Sequence, residues 1–141
     1  MSLVAIAEND PEDRKLLVQS LPGKWPSDSI VEFKSEKEVA EFLTQLTQQP
    51  KSAKLPDLFI IDLNMESADS GHRLVELIRK NDLTESRPIV ICSSSSRKKD
   101  IRKSYENGAN SFVAKEEKRE EKKKQFKKMF SYWLRVSTLP E

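Results

Sequence analysis

Five short apolar runs punctuate this chain, and each is followed by a stretch with helical spacing. Leu3-Val4-Ala5-Ile6-Ala7, Leu58-Phe59-Ile60-Ile61 and Pro88-Ile89-Val90-Ile91-Cys92 read as strands buried on both faces. Ser111-Phe112-Val113-Ala114 is a further strand, and Ile30-Val31-Glu32-Phe33 a weaker one. Asp10 reads as a helix N-cap with Pro11 at the first helical position; Leu16, Leu17 and Leu21 form the buried stripe, ended by Pro22-Gly23. Ser35-Glu36-Lys37-Glu38 is a capping-box pattern opening a second helix, with Val39, Phe42, Leu43 and Leu46 inward and Gln48-Gln49-Pro50 at its end. A third helix from about Gly71 turns Leu74, Val75, Leu77 and Ile78 inward. A fourth carries Ile101 and Tyr105 one turn apart and stops at Asn107-Gly108. The last reaches Arg135, with Phe126, Met129, Phe130 and Trp133 at helical spacing. Such alternation predicts an α/β, doubly wound, five-stranded parallel sheet with five helices on its two faces.

Composition narrows the class further. The 141 residues suit one domain, so a single domain over 1–141 is expected, with no output domain and no direct control of transcription in cis. Twenty-five basic residues nearly cancel 23 acidic ones, which argues against a general nucleic-acid or membrane binder. One cysteine, Cys92, excludes an intrachain disulfide and reads as a small core residue. No apolar run approaches membrane-spanning length, and Glu8 interrupts the N-terminus too early for a signal peptide. A cytoplasmic location is therefore expected.

In open parallel sheets, ligands bind at the carboxyl ends of the strands. Those ends carry Glu8, Asn9 and Asp10 after the first run, Asp62 after the third, Ser93 after the fourth and Lys115 after the fifth. Carboxylates with an added oxygen donor suit Mg²⁺, which takes one or two carboxylates, waters and a phosphate. A hydroxyl and an ammonium beside them suit a dianionic phosphoryl group. The set looks built to carry a phosphoryl group on a carboxylate.

In this order and spacing the pieces resemble a two-component response-regulator receiver domain. Ala7 through Asp13 is similar to that family's acidic turn, Asp62-Leu63-Asn64-Met65 to its phosphoacceptor loop, Pro88 through Ser93 to its fourth strand and hydroxyl, and Gly108 through Lys115 to its fifth strand and lysine. The ending Tyr132 to Val136 with Leu139-Pro140 resembles the single-domain regulators that pair with phytochrome-type histidine kinases. The resemblance implies a flavodoxin-like strand order of 2-1-3-4-5. It implies that Asp62 takes a phosphoryl group from a sensor histidine kinase or phosphotransfer protein. Glu8, Asn9, Asp62 and the Asn64 carbonyl would lie at the Mg²⁺ site, Ser93 and Lys115 would hold phosphoryl oxygens, and Phe112 would stand at the aromatic switch. It further implies a downstream protein partner, a homodimer through the last helices, and no enzyme activity beyond self-catalysed phosphoryl acceptance and slow acyl-phosphate hydrolysis.

The departures matter as much. Asn9 stands where the family carries its main metal-binding aspartate, which predicts weakened Mg²⁺ binding. Glu66 replaces the usual proline four residues after Asp62, one residue is added before Gly71, and Glu116 replaces the proline after Lys115. A cis bond before a non-proline costs roughly 2.5–4 kcal/mol, so a trans bond with a shifted loop, or visible strain, is expected there. Asp10 is read as a cap and His72, the single histidine, as a solvated surface residue. Glu116 to Gln125 holds no apolar residue, so the last helix should be gripped only from Phe126 onward, with its first turns exposed, mobile or partner-bound. The basic stretch Lys115 to Lys128 reads as a solvated helix and not as a nucleic-acid surface. A phosphorylation-independent adaptor is the alternative reading. A flavin-binding or other small-ligand domain is disfavoured by the acidic first loop.

Overall fold

The computed structural model describes residues 1–49, 54–67 and 69–140. Its strands are β1 (Val4–Ala7), β2 (Ile30–Phe33), β3 (Leu58–Ile61), β4 (Ile89–Ser93) and β5 (Ser111–Ala114). All pair in parallel, in the order β2-β1-β3-β4-β5. The helices are α1 (Pro11–Gln19), α2 (Glu36–Gln48), α3 (Ser70–Lys80), α4 (Lys98–Glu106) and α5 (Arg119–Ser131), the last continued by a π-helical turn, Tyr132–Val136.

Alternation of side chains along each strand divides the core into two layers. Ala5, Ala7, Phe59, Ile61, Ile89 and Ile91 face α2 and α3, meeting Val39, Leu43, Leu46, Leu74, Val75 and Ile78. Val4, Ile6, Leu58, Ile60, Val90 and Cys92 face α1 and α5, meeting Leu16, Leu17, Leu21, Phe126, Met129 and Phe130. The expected caps form: the Glu12 amide donates to Asp10 Oδ1 at 2.9 Å, and the Glu38 amide to Ser35 Oγ at 3.1 Å. Helix α2 stops at Gln48 as expected, while Pro50 and Ala68 lie outside the described residues. Gly108, at a φ of 113°, ends α4 as its sequence position predicts.

Three expectations are corrected. Leu77 is 40% exposed, because the inward stripe of α3 is completed by Gly71 and His72 near its start. Helix α4 buries Asp100 and Ser104; Ile101 is only half-buried and Tyr105 is exposed. Its inner face is polar: Ser104 Oγ donates to the Asp100 carbonyl at 2.8 Å, and the Asp100 carboxylate accepts from Ser95 Oγ and Arg97 Nε at 2.7 and 3.0 Å. His72 is buried between α3 and this polar face, with Nε2 3.7 Å from Asp100 Oδ1. Burial, helped by Lys103, holds the His72 pKa below its ordinary value.

Candidate phosphoryl site at the strand ends

Ladder hydrogen bonds run one residue past three strands and fix the residues that matter. The Glu8 amide donates to the Phe33 carbonyl at 3.0 Å, Asp62 to Ala7 at 3.0 Å, and Lys115 to Ser93 at 2.8 Å. Their side chains therefore leave the sheet from a rigid edge and converge. Lys115 Nζ lies 2.6 Å from Glu8 Oε1, 2.8 Å from Asp13 Oδ2 and 3.9 Å from Asp62 Oδ2. All four side chains are close to fully buried. Ser93 is buried on the adjacent strand end, its Oγ accepting from the Ser95 amide at 3.2 Å.

Charges packed this closely shift one another. Burial first, and Asp62 second, push the Glu8 carboxyl up to about 7, while Lys115 pulls the other way. For Lys115, burial favours losing the proton; Glu8, Asp62 and the hydrogen bonds to Asp13 and Glu8 outweigh it, and the pKa ends above the usual lysine value. Asp13 is likewise opposed by burial, yet hydrogen bonds from Lys115 and Lys122 hold it below the usual aspartate value. Cys92, just behind this cluster, has its thiol pushed up by burial, which fits an inert core residue.

Asp13 and Lys122 are the members that sequence reading missed. Asp13 lies in the first turn of α1, at the end of the helix nearest the strand ends, which was the available signal. Lys122 sits among lysines and carried none, yet its Nζ reaches Asp13 Oδ1 at 3.0 Å.

The acidic turn and the Asp62 loop also bind each other. The Asn9 side-chain amide donates to the Met65 carbonyl, and the Asn64 amide to Asp62 Oδ1 at 3.3 Å. Among the described residues no group of three or more His, Cys, Asp or Glu side chains could hold a metal ion. What remains is the pair of carboxylates Glu8 and Asp62, which converge on Lys115. That set fits Mg²⁺, which needs only one or two carboxylates and fills its other positions with water and phosphate.

Glu66 turns away from the site. Its carboxylate Oε1 accepts from the Glu36 amide at 2.6 Å and so caps α2, while Arg73 makes a bidentate pair with Glu36 at 2.7 and 2.8 Å. Glu66 thus fastens the Asp62 loop to α2. Glu66→Ala is expected to cost about 1 kcal/mol, as for loss of a helix cap, measured by urea unfolding.

A family model described as a response regulator receiver domain matches residues 4–127. The chain belongs to that family. This receiver is 25% identical to response regulator Rcp1 of Synechocystis sp. over 138 residues, covering 98% of this chain and 92% of the relative. It is 29% identical to the probable methanogenesis regulatory protein FilR2 of Methanothrix harundinacea over 86 residues, covering 61% of this chain and 55% of that one. Among solved structures, the phosphorylated cyanobacterial phytochrome response regulator RcpA superposes with a TM-score of 0.87 at 24% identity, covering 99% of each chain. The Mn²⁺-bound form of Rcp1 does so with a TM-score of 0.87 at 23% identity over the full length of both. These two matches bear out the expected flavodoxin-like fold, whose five parallel strands run in the order 2-1-3-4-5. Among the described residues, no helix is long and apolar enough to cross a membrane.

The receiver's Lys115–Glu116 bond is trans, since no described peptide bond is cis. The first turn of α5 is exposed as expected, Glu116 to Glu121 all facing solvent, but the grip on the helix begins before Phe126, which corrects that part of the expectation. Lys122 is tied to Asp13, and Gln125 Nε2 donates to the Ala114 carbonyl at 2.6 Å. Polar anchors stand where apolar ones were missing. Phe112 is half-buried at the edge of one core layer, and its amide donates to Tyr105 Oη at 3.1 Å.

Proposed function

We propose that this receiver accepts a phosphoryl group on Asp62 from a histidine kinase or phosphotransfer protein and signals by protein–protein contact. The observation that carries this reading is the Lys115 ammonium 3.9 Å from a buried Asp62 carboxylate at a strand end, with the Ser93 hydroxyl on the next strand. An Asp62 oxygen attacks phosphorus, the bond to the donor's imidazole nitrogen breaks, and an acyl phosphate forms. Lys115 is close enough to move from Glu8 and Asp13 to an oxygen of the new group, and Ser93 turns its hydroxyl toward another. Glu8, Asp62, the Asn64 carbonyl and the Asn9 side-chain oxygen would hold Mg²⁺, which supplies charge neutralisation of the transferring group. Phosphoryl acceptance on this reading is self-catalysed, with slow hydrolysis of the acyl phosphate and no other reaction. The likeness to response regulator Rcp1 supports this reading.

A second reading, a phosphorylation-independent adaptor, draws on the neutral Asn9 and on Lys115 making its short bonds to Glu8 and Asp13 and not to Asp62. Incubation with acetyl phosphate and Mg²⁺, followed by intact mass, separates the two. A phosphoryl increment in the wild type that is absent from Asp62→Asn is expected. No increment in the wild type leaves the adaptor reading.

A further inference from the structure

Lys115 is the only side chain that touches Glu8, Asp13 and Asp62 together among the described ion pairs. Where its Nζ points is set by the backbone that carries it. On one side that backbone is held by the sheet, through the Lys115 amide and the Ser93 carbonyl at 2.8 Å. The other side faces the open edge of β5, since β5 is the last strand. There the Ala114 carbonyl and the Glu116 amide point outward.

Both groups end on one side chain. Gln125 Nε2 donates to the Ala114 carbonyl at 2.6 Å, and Gln125 Oε1 accepts from the Glu116 amide at 3.0 Å. In a parallel ladder, a residue bonds the carbonyl before and the amide after the residue opposite it. The primary amide of Gln125 offers the same donor–acceptor pair as a peptide group. It therefore stands in for one residue of a missing sixth strand, placed opposite Lys115.

We propose that Gln125 is a positioning residue for Lys115: its amide closes the free edge of the strand end and fixes the direction in which the lysine leaves it. The grip lies where this chain has Glu116 in place of the family's proline, so the loop that carries the lysine is held by a side chain of α5. The same helix face presents Lys122 to Asp13 one turn earlier. Helix α5 thus holds the lysine's backbone through Gln125 and its partner Asp13 through Lys122. The chemistry demands an amide. A carboxylate at this place still accepts from Glu116 but cannot donate to Ala114, and sets two acceptors face to face. An asparagine is one methylene short.

The effect on phosphoryl acceptance rests on the proposed function, so the test has two arms. The first is independent of phosphorylation: the Lys115 ammonium signal in ¹H–¹⁵N spectra, assigned by its loss in Lys115→Arg. In Gln125→Glu and in Gln125→Met that signal is expected to move or broaden while the fold's backbone spectrum is kept. An unchanged signal in both variants overturns the inference. The second arm is the rate of acyl-phosphate formation from acetyl phosphate and Mg²⁺. Gln125→Glu is expected to slow it on the order of tenfold, as for a displaced charge, and to have no further effect in a Lys115→Ala background. An equal loss in both backgrounds shows a general structural role and overturns it. A wild type that forms no acyl phosphate sinks the phosphoryl reading alone, and the ammonium signal then decides the positioning role.

Discussion

Lys115→Met is expected to lose about 3–5 kcal/mol of folding stability near neutral pH, the usual cost of removing one partner from a buried ion cluster. The lysine faces three buried carboxylates, and among the described residues only Asp13 has a second cation, Lys122 at 3.0 Å. Glu8 and Asp62 would be left with their charges uncompensated. The loss should depend on pH in a definite sense. Glu8 binds its proton more tightly in the folded chain, with a pKa raised from 4.5 to about 7. Its contribution to stability is therefore full below the unfolded value and lost as pH rises through the folded one. Lys115 lowers the Glu8 pKa, so its removal raises that value further and extends the window upward. Asp13 acts in the opposite sense, its depressed pKa giving stability that is lost only as pH falls below its ordinary 3.8. Urea unfolding of both proteins at about pH 8 and about pH 5.5 checks this: the gap between them should narrow at the lower pH as Glu8 takes up a proton. A gap that is constant with pH would mean that Glu8 is not the group left uncompensated.

How much of this was legible in the sequence follows from what each residue contacts. The strands were legible because burial on both faces demands apolar runs, and Leu58–Ile61 and Ser111–Ala114 fall where the runs place them. Glu8, Asp62, Ser93 and Lys115 were legible because the residue that ends such a run is carried to the same edge of the sheet. Helix α4 was not: an apolar pair one turn apart pointed to Ile101 and Tyr105, whereas hydrogen bonds bury Asp100 and Ser104. Periodicity reads area burial, and this helix is seated by polar contacts. His72 was misplaced for the same reason, because the polar face of α4 is its neighbour. Gln125 and Lys122 gave no signal in a run of charged residues, since a polar anchor is recognised only by the backbone carbonyl or carboxylate that it meets.

Gly71→Ala is the other change with a large expected effect, and its target is the site's own support. A methyl group on Gly71 would stand 2.3 Å from the Leu63 Cα and 2.6 Å from the Asp62 carbonyl oxygen. These are backbone atoms, so no side-chain rotation relieves the contact. The Gly71 amide meanwhile donates to the Leu63 carbonyl at 2.8 Å, which draws the start of α3 against the Asp62 loop. To admit the methyl, α3 must back away from the loop and carry Leu74, Val75 and Ile78 partly out of their core layer. Overpacking of this kind costs about 3 kcal/mol or more when the obstacle is rigid. The loop is in turn held on its far side by Glu66 on α2 and by the Asn9 contact to Met65. The strain should therefore appear at Asp62, between a displaced helix and two fixed anchors. Gly71→Ala is expected to lower the urea midpoint and, under conditions where it remains folded, to slow acyl-phosphate formation from acetyl phosphate. The Gln125 variants lose only exposed hydrogen bonds at the edge of β5 and should lower that midpoint less. A Gly71→Ala protein with wild-type stability would mean that α3 and the Asp62 loop do not approach as closely in solution.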